Sequence, residues 1–221
     1  MTASNIHRDI NIGEISSAYT VAPFDEGVEA LITEGYRLIS LEENARLRIQ
    51  EGREHGISRI GNWVREGLVH ISKKGTFLTK CLSLRAYLKE ATQCYRERRD
   101  FHLTDKQVTE VLEDAIAVKD CEIPFKMFAD NDITRFAFGE CAGEYGEFLM
   151  RALGRKKAMP IRYTKFPEDA SFVGPIYFYG IGFMSEFSWY NGYLEYGNVF
   201  VRGVRENVEG KQKIRNIFIS P

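Results

Sequence analysis

IYFYGIGFMSEFSWYNGYLEYGNVFVRGVRE, residues 176–206, is the densest aromatic stretch of the chain. Residues 172–200 carry 11 aromatic side chains, separated by glycine, serine and asparagine. Its middle is Ser185-Glu186-Phe187-Ser188-Trp189-Tyr190-Asn191-Gly192-Tyr193. That mix suits a recognition surface, in which rigid amphipathic rings give contact area and small polar residues give adaptable hydrogen bonds. It equally suits the core of antiparallel strands, because Phe and Trp usually go inside. The sequence leaves both readings open.

Working outward, the chain changes character near residue 158. Beyond Pro160, helical spacing stops and short β-rich runs alternate with turns, over 161–163, 175–179, 192–196, 199–204 and 214–219. Before it, helix signals dominate. Ser40-Leu41-Glu42-Glu43 is a capping box opening a helix that Gly52 ends, with Leu41, Ala45, Leu47 and Ile49 apolar and Arg46, Arg48 and Glu51 expected outside. Residues 57–66 are expected to form a second short helix. A hairpin follows over 68–79, turning at Ser72-Lys73-Lys74-Gly75. Ser83 caps a helix reaching residue 98, and Thr104-Asp105-Lys106-Gln107 is another capping box. Residues 118–132 read as a loop, 133–138 as a strand and 140–153 as a helix. The first 26 residues read as an arm or edge strand. The fold class is therefore α+β. A helical part with one hairpin covers residues 1–158, and a β-rich part with short antiparallel strands covers 159–221. Whether the two pack as one domain stays open.

The run from Tyr177, closing in Val201-Arg202-Gly203-Val204-Arg205, resembles the end of a C-type-lectin-like fold. The resemblance is to the broad variant of formylglycine-generating-enzyme relatives and of variable ligand-binding proteins. It covers about 45 residues and implies a binding scaffold. The carboxylate-proline-Asn triplet of calcium-binding lectins is absent, and no cysteine lies beyond Cys141. The resemblance therefore carries over no calcium site, no disulfide and no catalytic cysteine.

A second stretch resembles the wing of GntR-type winged-helix regulators: Arg65-Glu66-Gly67-Leu68 leading to Lys73-Lys74-Gly75-Thr76-Phe77. That resemblance implies a recognition helix presenting Ser58, Arg59, Asn62 and Arg65 to the major groove, with Lys73 and Lys74 on phosphates. A basic turn on a solvated hairpin accounts for the same lysines.

Other chemistry finds little support. The formal net charge is −1, with 44% hydrophobic and 28% charged residues, so no global field drives binding to nucleic acid or acidic membrane. No apolar run is long enough to span a bilayer, and the N-terminus has no secretory pattern. Four cysteines and four histidines are scattered, without the short pairings of zinc sites. The cysteines read as reduced thiols of a cytoplasmic protein. Glu140, Glu144 and Glu147 share a helix face and read as a solvated stripe. No nucleophile elbow or P-loop occurs.

The expectation is a non-enzymatic binding protein without cofactor or metal. Its partner is a macromolecule or a glycan, and a homo-oligomer is a live variant. Its contact surface is 183–196, with Phe187, Trp189, Tyr190, Asn191 and Tyr193 as contacts. The alternative is a DNA-binding regulator using residues 40–79 through Arg59, Asn62, Lys73 and Lys74.

Overall fold

The computed structural model describes residues 5–11, 15–81, 83–97, 101–154, 158–163, 172–181, 187–189 and 199–207. For residues 187–189 the backbone path alone is described. The expected strands 192–196 and 214–219, and contacts Tyr190, Asn191 and Tyr193, lie outside the described residues.

An 11-stranded sheet runs through the molecule. Its strands are β1 (His7–Ile10), β2 (Ile15–Val21), β3 (Arg37–Leu38), β4 (Asn62–Ile71), β5 (Gly75–Thr79), β6 (Ala115–Val118), β7 (Cys121–Pro124), β8 (Ala158–Tyr163), β9 (Phe172–Phe178), β10 (Phe187–Trp189) and β11 (Phe200–Glu206). The main path is β1-β2-β11-β4-β9-β10-β8-β7. Strands from both sides of residue 158 are interleaved along this path. β11 lies between β2 and β4, pairing antiparallel with β2 and parallel with β4.

The helices are α1 (Phe24–Thr33), α2 (Leu41–Glu51), α3 (Gly56–Arg59), α4 (Leu84–Arg96), α5 (Asp105–Glu113), α6 (Asp132–Phe138) and α7 (Ala142–Leu153). They cover both sheet faces, because each strand offers alternate residues to each side. Leu68, Ile176, Phe178 and Val204 meet α2, α6 and α7 in one core. Trp63, Val69, Val173 and Val201 meet α1 and α4 in the other.

Both capping boxes form. Ser40 Oγ accepts from Glu43 N–H, and Thr104 Oγ1 accepts from Gln107 N–H. The hairpin forms, with Leu68 opposite Leu78 and Ile71 opposite Gly75, so Gly75, expected in the turn, opens β5. Four expectations need correction. Residues 57–66 are not a helix: α3 stops at Arg59 and β4 begins at Asn62. Gly61, a poor helix residue, lies at that break. Residues 133–138 are helix α6, not a strand, because Asn131 Oδ1 accepts from both Ile133 and Thr134 N–H. The loop assigned to 118–132 contains β7 and a 3₁₀ turn, Phe125–Met127. Helix α1 was not anticipated; it opens directly after Pro23, without a side-chain cap.

The Val-Arg-Gly-Val-Arg motif reads residue by residue. Val201 and Val204 point into opposite cores. Arg202, 3% exposed, donates to both oxygens of Asp9 at 2.8 and 2.6 Å, and to Ser17 Oγ at 2.8 Å. Gly203 lets β3 close over β11: a Cβ there would sit 2.8 Å from Tyr36 Cβ and 3.1 Å from Arg37 O. The Arg205 guanidinium lies 4.6 Å from the Tyr36 ring centre.

Candidate functional site at the root of the aromatic run

Helix α2 faces the sheet with the i, i+3, i+4, i+7 stripe Leu41, Asn44, Ala45 and Arg48, together with Leu47. Two of these residues are polar. Arg48, expected on the outside, is fully buried. The helical period decides its place, and its partners make the burial tolerable. Its Nε donates to Ile57 O at 3.1 Å, Nη1 to Tyr145 Oη at 3.1 Å, and Nη2 to Phe178 O at 3.5 Å. Its guanidinium carbon stands 4.0 Å from the centre of the Phe178 ring, a cation–π contact in a dry setting. One turn earlier, Asn44 Nδ2 donates to Asn62 Oδ1 at 2.8 Å, and Asn62 Nδ2 donates to Trp63 O at 2.8 Å.

This buried network lies where the aromatic run leaves the sheet. Phe178, the last residue of β9, pairs with Asn62 on one side and Phe187 on the other. Phe187 also pairs with Ile161, and Ser188 with Tyr177 and Arg162. Trp63, Tyr177 and Tyr179 form an edge-to-face chain, with centroids 5.2 and 4.9 Å apart. Gly180 then passes against the backbone after α3. A Cβ there would come within 2.2 Å of Arg59 O. Gly180→Ala is therefore expected to cost about 1–3 kcal/mol through a forced backbone shift, read as a lower urea midpoint with unchanged slope.

The run returns at the same end of the sheet. Ala22 N–H, just past β2, donates to Val199 O at 3.2 Å. Phe200, the last aromatic of the run, is half-buried against Tyr19 at 5.4 Å, and Tyr19 stacks on exposed His7 at 5.1 Å. Val21, paired with Phe200, and Ile60 are 42% and 37% exposed. Sequence reasoning missed His7, Tyr19 and Val21, because only β1–β2 and β2–β11 pairing bring them to the run. The signal available was the alternation in ISSAYTV over residues 15–21.

The residues assigned to DNA contact do not form one surface with a recognition helix. Arg59 is exposed in α3, and Lys73 and Lys74 are exposed in the hairpin turn. Asn62, which was to face the groove, is 1% exposed and bonded within the sheet. Glu140, Glu144 and Glu147 are all exposed. Among the described residues no group of three His, Cys, Asp or Glu is placed to hold a metal, and no helix is long and apolar enough to cross a membrane.

The pattern of helices on both sides of a sheet whose C-terminal strand is inserted between N-terminal ones matches a solved structure. That structure is described as the accommodation of massive sequence variation in Nanoarchaeota by the C-type lectin fold. The likeness covers 90% of this chain and 100% of the other, with a TM-score of 0.60 and 13% identity. The chain has the C-type lectin fold. The likeness extends well beyond the C-terminal 45 residues that suggested it. At that identity it speaks for the fold alone. No protein-family profile matches the sequence, and no curated protein matches it.

Proposed function

We propose that this C-type lectin fold serves as a non-enzymatic binding scaffold, with the aromatic run over 183–196 as its contact surface for a macromolecule or a glycan. Phe187, Trp189, Tyr190 and Tyr193 supply buried contact area, and Ser185, Ser188 and Asn191 set polar register. The observation that carries this reading is the common anchorage of the run. It leaves β9 past Gly180, contributes β10 between β9 and β8, and returns at Val199, at the end of the sheet where Val21 and Ile60 are exposed. The run is tied to the sheet at both ends and again through β10, which pairs with β9 and β8. The fold's reported tolerance of massive sequence variation supports the same reading.

Immobilised glycans, immobilised peptides and a duplex DNA are the three probes. Parent protein is expected to bind a glycan or a peptide. Serine at all four aromatic positions should weaken that binding at least 30-fold, since each anchor of this kind carries about 2 kcal/mol or more. Binding that survives the four substitutions contradicts the proposal. Binding to DNA alone, lost in a Lys73→Ala/Lys74→Ala variant and steeply salt-dependent, replaces it with the nucleic-acid reading.

A further inference from the structure

Arg48 presents a problem that packing alone does not solve. Removing a guanidinium from water is expensive, and apolar residues of similar volume often stabilise as well or better. Yet Arg48 is fully buried, and no carboxylate lies within ion-pair distance among the described residues. Its donors go instead to two main-chain carbonyls and one tyrosine hydroxyl. Main-chain acceptors report backbone position. Ile57 O belongs to α3, whose last carbonyl, Arg59 O, is the wall against which Gly180 rests. Phe178 O closes β9, and Phe178 is the residue against which β10 starts. Tyr145, on α7, holds the guanidinium from the far side and packs on Phe178 at 6.2 Å. One side chain therefore fixes both the strand the run leaves and the loop it passes.

We infer that Arg48 is a positioning residue for the aromatic run, fixing where β9 ends at Phe178, where β10 begins against it, and the end of α3 that Gly180 passes. This rests on the binding reading above for its purpose. Its geometry concerns the described backbone. Lysine cannot replace it, because an ammonium has no planar fork to serve divergent carbonyls and no flat face for the Phe178 ring. Methionine fills the volume and supplies no donor.

The test uses the full chain labelled with ¹⁵N. Its two tryptophans give two indole N–H signals, assigned with Trp63→Phe. Arg48→Lys, Arg48→Met and the milder Tyr145→Phe are compared with Leu149→Ala, a core truncation one turn along α7 from Tyr145 that removes none of these hydrogen bonds. Urea midpoints are measured on each. The expected result is a displaced Trp189 signal in all three network variants, even where the midpoint barely moves. Leu149→Ala should lower the midpoint and leave the Trp189 signal in place. A Trp189 signal that stays put in Arg48→Lys and Tyr145→Phe, or that moves equally in Leu149→Ala, overturns the inference. If Arg48→Met does not fold, those two milder variants still decide. The binding proposal fails separately, by loss of probe binding in the parent.

Discussion

Asp9→Ala should lower stability by about 3–5 kcal/mol, the usual cost of stripping the partner from a buried charge. Arg202 is 3% exposed, and Asp9 supplies both of its carboxylate contacts. Burial already holds the Arg202 pKa below its ordinary value, against the pull of Asp9. Without Asp9 the guanidinium would keep only Ser17 Oγ and the Tyr19 ring, 5.2 Å from its carbon. Adding Arg202→Met removes the stranded charge, so the double variant should recover most of the loss. The neighbouring pair Arg8–Glu34 has side chains 62% and 45% exposed, and Glu34→Ala should cost less than about 1 kcal/mol. Urea denaturation of these three variants reads all the differences. A double variant no better than Asp9→Ala would show that Asp9 acts through β1 packing and not through Arg202.

The second large effect is a pH dependence centred on Glu66. β4 bulges there: Trp63 faces Tyr177 but Gly67 faces Pro175, so Val64, Arg65 and Glu66 stand opposite Ile176 alone. Pro175 has no N–H to offer the ladder, which favours a bulge at this point. Arg65 N–H turns to Ile39 O at 2.8 Å, and Glu66 is directed under α2. Its Oε2 accepts from Leu41 N–H at 2.9 Å, while Oε1 has no hydrogen-bond partner and the Arg65 guanidinium is 3.8 Å away. Burial pushes its pKa up to about 7, only partly countered by Leu41 N–H, Arg65 and Lys80. The folded state then holds a proton that the unfolded chain releases near pH 4.5. This contribution is fully present below about pH 4.5 and is lost as pH rises through about 7, a change of about 3 kcal/mol. Glu66→Gln keeps an acceptor for Leu41 and removes the titration. Its melting temperature should exceed the parent's above pH 7.5 and converge with it near pH 5. Parallel curves for the two proteins from pH 5 to 8 would mean that Glu66 stays ionised in the fold.

Local signals were legible in the sequence where chemistry is local. Ser40 and Thr104 cap the helices they were expected to cap, and a hairpin forms over 68–79. The C-terminal motif was enough to suggest the fold, because each of its residues answers to a separate neighbour. What failed was long-range. Arg48 was expected outside, and the winged-helix alternative turned Asn62 toward DNA, yet the helical period and the sheet register place both inside, where Arg48 serves carbonyls of α3 and β9 and Asn62 accepts from Asn44 of α2. Residues 57–66 looked helical until Gly61 and the demand for a central strand decided otherwise. The aromatic face around Phe200 could not be read from 172–206 alone, since His7, Tyr19 and Val21 arrive through strand pairing.

The central claim is that the aromatic run is displayed. Trp63 is fully buried between Phe24 and Tyr177, so Trp63→Phe, a ring-for-ring exchange, leaves Trp189 as the only tryptophan. Acrylamide quenching and the emission maximum of that protein, measured across a dilution series, report directly on Trp189. Strong quenching with red-shifted emission at every concentration is the predicted result. Protected, blue-shifted emission that persists on dilution would contradict the account, and protection that disappears on dilution would place the run in a contact between copies of the chain.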